Sequence, residues 1–399
     1  MEVKISNSSL NGAVTAPPSK SAAHRALICS YLSGGGTVKP IINSRDMAAT
    51  VGIIESLKNN ESILDCIESG STMRFMIPVA ASLGRNVEFV GQGSLLKRTV
   101  GEFAELLPIH GVNVETNGCL PFKISGQLRN GSFEVSGDVS SQYVTGLLLA
   151  LANLQGDSAV IMKTPLQSKP YVDMTVKVMA DYGVNVRETD FGYLIKGGQE
   201  FKRLDYTVEG DWSQAAFFLV AGAIGGNVTV KGLDFNSAQG DKDIVDVIKK
   251  FGGNVERGED SVTCIAGELT GADIDASDIP DLVPIIAVLA SYAKGKTVIS
   301  GAERLRFKES DRIESVVTNL KAMGVDVTQT PDGMIINGGK GLKGAKLKGY
   351  NDHRIVMSFS VAGLFAQGET VIDEAESINK SYPSFFEDYN MLGGKANVL

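Results

Sequence analysis

"AAFFLVAGAIGGNVTVKG", residues 215–232, runs from a helix's length of apolar side chains through two glycines into an alternating V-x-V strand. A helix that is apolar on every side has no face to offer to water, so it must be wrapped by other structure. The same order of helix, glycine and β-branched strand recurs in "SYLSGGGTVKP", "VAASLGRNVEF", "LANLQGDSAVIM", "ASYAKGKTVISG" and "GLFAQGETVIDE". The glycines of the six copies are Gly35, Gly84, Gly156, Gly225, Gly295 and Gly368, in steps of 49, 72, 69, 70 and 73 residues. Six units of about seventy residues therefore fill the chain, a repeat architecture.

A second pattern keeps the same phase. Amphipathic helices end at Gly111, Gly183, Gly252 and Gly324, in steps of 72, 69 and 72, and each passes into a hairpin such as "GVNVETNGCLPFKISG". Glycine suits the left-handed cap that ends a helix, and the alternation after it suits half-buried strands. The last residues start another copy at Gly393 and stop after one strand. The N-terminal "EVKIS" is predicted to complete that hairpin. The expected fold is α/β, a two-lobed inside-out barrel of six repeated helix and sheet units. Three hairpin-bearing sheets would surround three buried helices in each lobe, with residues 20–210 in one lobe and residues 1–19 plus 211–399 in the other.

Composition narrows the function. The 399 residues are 43% hydrophobic and 21% charged, with 45 glycines, a globular profile rich in tight turns. A net charge of −8 argues against nonspecific nucleic-acid binding, which needs a basic footprint. Cys29, Cys66, Cys119 and Cys264 have no metal-site or disulfide spacing, which suits a reducing compartment. No apolar run reaches the length of a membrane span, and the start has no leader pattern. A cytoplasmic monomer with no membrane or nucleic-acid partner is expected.

All six apolar helices begin with polar residues: "SKSAAHR" from Ser19, "SGSTMR" from Ser69, "SSQYVTG" from Ser140, "GDWSQAA" from Gly210, "IPDLVP" from Ile279 and "NDHRIVM" from Asn351. Serine, aspartate and asparagine there are ordinary N-caps. Lys20, Arg25, Arg74 and Arg354 are not, because a helix start already carries partial positive charge. Cations, free amides and hydroxyls together form anion sites, so these starts are expected to grip a substrate with several negative groups. "SKPYVD" adds Ser168 and Lys169, "LLKRTVGEF" adds Lys97 and Arg98, "RFKESDRIES" adds Lys308, Glu309 and Arg312, and "SINKSYP" adds Lys380. Two carboxylates are acid–base candidates: Asp281, which a helix dipole would keep ionised, and Glu309, set between Lys308 and Arg312. Read in isolation, Asp281 is equally an N-cap and Glu309 half of an intrahelical ion pair.

Taken together and in order, "PPSKSAAHR", "SGSTMR", "DVSSQYVTG", "SKPYVDMT", "VEGDWSQAAFF", "QGDKDI", "IPD", "RFKESDRI", "NDHRIVMSFS" and "INKSYPSFF" resemble the enolpyruvyl transferases, and within them the branch that acts on shikimate 3-phosphate. The resemblance spans essentially the whole chain. It implies transfer of the enolpyruvyl group of phosphoenolpyruvate to the 5-hydroxyl of shikimate 3-phosphate, with no metal or organic cofactor. It implies shikimate 3-phosphate contacts from Ser21, Arg25, Ser140, Ser141, Gln142, Ser168, Asp281 and Lys308. Phosphoenolpyruvate contacts are implied for Lys20, Gly70, Arg98, Gln142, Arg312, Arg354 and Lys380. Asp281 would be the base, Glu309 the proton donor, and Lys20 a catalytic partner. Glu68, His24, Phe75, Thr99 and Arg304 depart from the commonest residues at their places. The alternative is the sister branch that uses UDP-N-acetylglucosamine. Its early motif has Lys-Asn where this chain has Lys20-Ser21, and Cys119 is a poor match to its loop cysteine.

Overall fold

The computed structural model describes every residue from Met1 to Leu399. Twelve helices alternate along the chain between two kinds. The first kind is α1 (Lys20–Leu32), α3 (Gly70–Ser82), α5 (Ser141–Leu151), α7 (Trp212–Gly225), α9 (Val283–Tyr292) and α11 (His353–Gly363). In α3, α5, α7, α9 and α11 nearly every residue is buried, as continuous apolarity requires. The second kind is α2 (Arg45–Lys58), α4 (Gly101–Ile109), α6 (Lys169–Asp181), α8 (Ile244–Lys250), α10 (Arg312–Ala322) and α12 (Phe385–Met391). Helices such as α6 and α10 bury one stripe and expose the other.

Serine or aspartate caps the start of five of the buried helices, as read from the sequence. The side chains of Ser19, Ser69, Ser140, Asp211 and Asp352 accept from Ala22, Thr72, Gln142, Gln214 and Arg354 amides. Each such cap contributes about 1 kcal/mol. The start of α9 differs: a 3-10 turn, Pro280–Leu282, precedes it, and no side chain caps it.

The strands form separate open sheets, five of four strands and one of two. In the first four-stranded sheet Ile63–Asp65 runs parallel to Val87–Val90, which pairs antiparallel with Phe122–Gly126, and Val112–Glu115 lies outermost. Parallel neighbours need a crossover, and buried α3 supplies it. The sheets crossed by α5, α9 and α11 repeat this order. In the last of them Val3–Ile5 lies between Thr370–Ile372 and Ala396–Val398, antiparallel to both. The N-terminal strand thus completes the C-terminal hairpin.

The chain divides into two compact units, Ser19–Val208 and Met1–Pro18 with Glu209–Leu399. Two strands are exchanged where it passes from one to the other. Asn11–Thr15 precedes α1 yet pairs with Asn227–Lys231, the strand after α7, while Tyr206–Thr207 precedes α7 yet pairs with Val38–Lys39, the strand after α1.

That exchange corrects the expectation of three hairpin-bearing sheets in each lobe. The Ser19–Val208 unit has two, plus the two-stranded sheet of Val38–Lys39 and Tyr206–Thr207. Its first repeat has no hairpin after α2: only Ile63–Asp65 separates α2 from α3, and that strand joins the next sheet. The short first step of 49 residues is this missing hairpin.

Candidate active site

In the Ser19–Val208 unit the polar starts of α1, α3 and α5 hold a connected set of side chains. Gly146 lets α5 approach α3 closely, since a Cβ there would collide with the Arg74 carbonyl. The approach brings Gln142 onto Arg74: Nη1 donates to Oε1 at 2.7 Å, while Gln142 Nε2 donates to Ser71 Oγ at 2.9 Å. Arg74 also donates to the Thr99 carbonyl and lies over the Tyr143 ring, 5.3 Å from its centroid. Arg98 follows a 3-10 turn, Gly93–Lys97, and its guanidinium rests against the Cα of Gly70 so closely that a Cβ there would strike it.

Lys20 Nζ is 2.6 Å from Asp46 Oδ2 on α2, with side chains only 16% and 12% exposed. Arg25 is buried, donating to the Ser21 and Tyr171 carbonyls at 2.6 and 2.8 Å and to Thr175 Oγ1 at 2.8 Å, with Phe75 beneath it. Burial pushes its guanidinium down to about 10, so it stays charged at neutral pH. Ser141 and Ser168 are buried, and Ser168 adopts a left-handed φ of 54° at the start of α6.

In the other unit the charges are denser. Arg312, 1% exposed, faces three carboxylates: Asp352 through Nε at 2.8 Å and Nη2 at 3.2 Å, Asp281 through Nη1 at 2.9 Å, and Glu309 through Nη2 at 2.7 Å. Asp281 receives two more cations, with Arg354 Nη2 on Oδ2 at 3.3 Å and Lys308 Nζ 3.6 Å from Oδ1. Arg354 Nη1 also holds the Asp281 carbonyl at 3.0 Å.

Burial alone would raise the Asp281 carboxyl, but Arg354, Lys308 and Arg312 outweigh it and hold the group well below the usual carboxylate range. Lys308 moves the other way, lowered first by burial and further by Arg312 and Arg304, against Asp281 and Glu309. Lys380, 3% exposed, donates to the Asn351 carbonyl at 2.8 Å. Asp241, in the turn Gly240–Asp243, is buried; burial raises its carboxyl to about 6, Asp281 and Asp211 adding to the rise and Arg354 opposing it.

Two points of the sequence reading change. Asp281 owes its ionisation to three cations and lies in a 3-10 turn, not at a capped α-helical start. The first-turn cations, moreover, already have protein acceptors: Asp46 for Lys20, backbone carbonyls for Arg25 and Asp281 for Arg354. Pattern reading missed Asp46, Asp241, Thr145 and Thr175. One signal could have found Asp46: it and Thr50 stand at the same offset from Lys20 and His24. Among the departures from the commonest residues, Arg304 donates to the Ser277 carbonyl at 2.9 Å and Glu68 lies 4.0 Å from Arg45. An open concavity of about 350 Å³ beside Phe235 and Arg257 includes none of the predicted residues.

Carboxylates and cations gather at helix starts of this α/β repeat, and comparison with known proteins identifies the class. The chain matches the EPSP synthase (3-phosphoshikimate 1-carboxyvinyltransferase) family over residues 5–63 and 50–389. It is 40% identical to the 3-phosphoshikimate 1-carboxyvinyltransferase of Clostridium novyi, covering 98% of this chain and 97% of that one. The same enzyme of Clostridium kluyveri is 41% identical with the same coverage. The EPSP synthase structure from Acinetobacter baumannii superposes with a TM-score of 0.82 at 27% identity, covering 100% of both chains. The chain belongs to the EPSP synthase family.

Proposed function

We propose that this protein transfers the enolpyruvyl group of phosphoenolpyruvate to the 5-hydroxyl of shikimate 3-phosphate and releases phosphate. The observation that carries this reading is the Asp281 carboxylate, ionised and hydrogen-bonded to Arg312 and Arg354 with Lys308 beside it, while Glu309 shares Arg312. Membership of the EPSP synthase family supports it.

Asp281 takes the proton of the 5-hydroxyl as the oxygen bonds to C2 of phosphoenolpyruvate, and Glu309, entering this step as the carboxylic acid, gives a proton to the methylene carbon. The product of this addition is a tetrahedral ketal. Glu309 then recovers a proton from the new methyl group while the C2–O bond to phosphate breaks and Asp281 returns its proton to the departing phosphate, which restores the double bond and both carboxyl groups. A carboxylate held so low is a weak base on its own. The phosphate and carboxylate of phosphoenolpyruvate, drawing on Arg312 and Arg354, weaken their hold on Asp281 and raise its basicity.

Lys20, Gly70, Arg98, Gln142, Arg312, Arg354 and Lys380 are the proposed phosphoenolpyruvate contacts. Ser21, Arg25, Ser140, Ser141, Gln142, Ser168, Asp281 and Lys308 are the proposed contacts of shikimate 3-phosphate. Cations arranged beforehand stabilise charge that develops in the reaction without reorganising at that moment. One chain carries every proposed contact, so we take the monomer as the acting species. The cytoplasm is its proposed compartment: all four cysteines are unpaired, with Cys29, Cys66 and Cys264 buried. No helix is long and apolar enough to cross a membrane. Phosphate release from phosphoenolpyruvate that depends on shikimate 3-phosphate tests the reading; release that depends only on UDP-N-acetylglucosamine contradicts it.

A further inference from the structure

Helices α1 and α2 are joined by two polar rungs in the same register. Lys20 Nζ meets Asp46 Oδ2 at 2.6 Å, and His24 Nδ1 meets Thr50 Oγ1 at 2.7 Å. Lys20 and His24 are four residues apart on α1, as Asp46 and Thr50 are on α2, so each pair occupies one helix face. The second rung continues into α3: Thr50 Oγ1 is 2.7 Å from Thr72 Oγ1, and Thr72 donates to Ser69 Oγ at 2.7 Å. Thr72 also reaches the Asp46 carbonyl at 3.4 Å. Thr50, Thr72 and Ser69 are buried, so this chain of hydroxyls is sealed from water.

The electrostatics of the two helix starts are complementary. Lys20 opens α1, where a cation is disfavoured, and Asp46 is in the first turn of α2, where a carboxylate is favoured. The flexible lysine stem would otherwise sample many positions; a part-buried ion pair at 2.6 Å gives the ammonium one. We infer that Asp46 is a positioning residue for Lys20, held in place by the His24–Thr50–Thr72–Ser69 chain, and that it sets the geometry with which Lys20 receives phosphoenolpyruvate. The inference rests on the function proposed above. It predicts that Asp46 acts through Lys20 alone, with no contact of its own to shikimate 3-phosphate.

A double-mutant cycle on the full-length protein tests this, reading phosphate release in single turnovers at high enzyme concentration so that weak variants remain measurable. Asp46→Asn should lower the rate at subsaturating phosphoenolpyruvate at least tenfold and leave the dissociation constant of shikimate 3-phosphate within twofold. In a Lys20→Met background the same change should alter the rate less than twofold. Asp46→Glu, which keeps the carboxylate, should recover most of the loss, and Asp46→Ala takes the place of Asp46→Asn in the cycle if that variant does not fold. An equal loss in both backgrounds, no loss in either, or a matching loss of shikimate 3-phosphate affinity would overturn the positioning role. Absence of any release by the unaltered protein would overturn the function itself, and the inference with it.

Discussion

Arg312 and Asp352 face each other through two hydrogen bonds, Nε to Oδ2 at 2.8 Å and Nη2 to Oδ1 at 3.2 Å, with side chains 1% and 0% exposed. Asp352 also caps α11 and accepts from Ser310, so one buried carboxylate ties the starts of α10 and α11 together. A lysine at 312 would offer a point charge in place of a planar fork and could not satisfy Asp352, Asp281 and Glu309 at once. Breaking a buried pair of this kind costs about 3–5 kcal/mol. Arg312→Lys is therefore expected to lower the denaturation midpoint substantially and to remove most activity, measured by denaturant unfolding and by phosphate release.

Asp281→Asn should retain the fold and reduce kcat at least a hundredfold, the scale of lost general-base catalysis. The sign of the pH effect follows from the depressed carboxyl. Its folded value lies below the unfolded one, so its stabilising contribution is present above about pH 4 and is lost only as pH falls further. Titration of Asp281 should therefore leave no acid limb in kcat/KM above about pH 4. A variant that turns over at a normal rate would remove Asp281 from the mechanism.

His24 gives a pH prediction of the same sign in a higher pH range. Burial first, then Lys20 and Arg25, hold its imidazole well below the ordinary value of 6.5, so the folded protein keeps it neutral while the unfolded chain takes up a proton below that pH. Stability is therefore lost as pH falls through about 6.5. His24→Asn removes this dependence, and between pH 7.5 and 5.5 the variant should lose about 1 kcal/mol less stability than the unaltered protein. Paired denaturant titrations at the two pH values measure it.

Gly70→Ala tests the contact with Arg98. A Cβ at Gly70 would strike the far end of the Arg98 side chain, which can swing away without disturbing the backbone. Stability should change little while the KM for phosphoenolpyruvate rises several-fold and that for shikimate 3-phosphate stays put. Equal changes in both KM values would detach Gly70 and Arg98 from the phosphoenolpyruvate side.

The sequence marks its helices and hairpins clearly because each boundary has its own chemistry: Ser19, Ser69, Ser140, Asp211 and Asp352 at the starts, and Gly111, Gly183, Gly252 and Gly324 after the ends of outer helices. Pairing of Val3–Ile5 with Ala396–Val398 was legible as well, since a half-built hairpin at one terminus needs a strand from elsewhere. The exchange of Asn11–Thr15 and Tyr206–Thr207 was not. Both are short strands before a buried helix, and since Asn11–Thr15 buries only Val14 and Tyr206–Thr207 buries neither residue, neither carries an apolar pattern that says which sheet receives it.

At the candidate site the cations were visible from their misplacement at helix starts, but their partners were not. Asp46 lies in the first turn of α2, where an acid is favoured with or without a partner. Only the packing of α1 on α2 turns it toward Lys20. Asp241 was hidden for a related reason, because neither its burial nor its neighbourhood to Arg354 follows from "QGDKDI" alone.

The most direct test of the account is phosphate release from phosphoenolpyruvate by the purified protein, with shikimate 3-phosphate as acceptor in one reaction, UDP-N-acetylglucosamine in another, and EDTA in both. Rapid release with shikimate 3-phosphate alone is the predicted result. Release with the sugar nucleotide alone, or with neither acceptor, would contradict it.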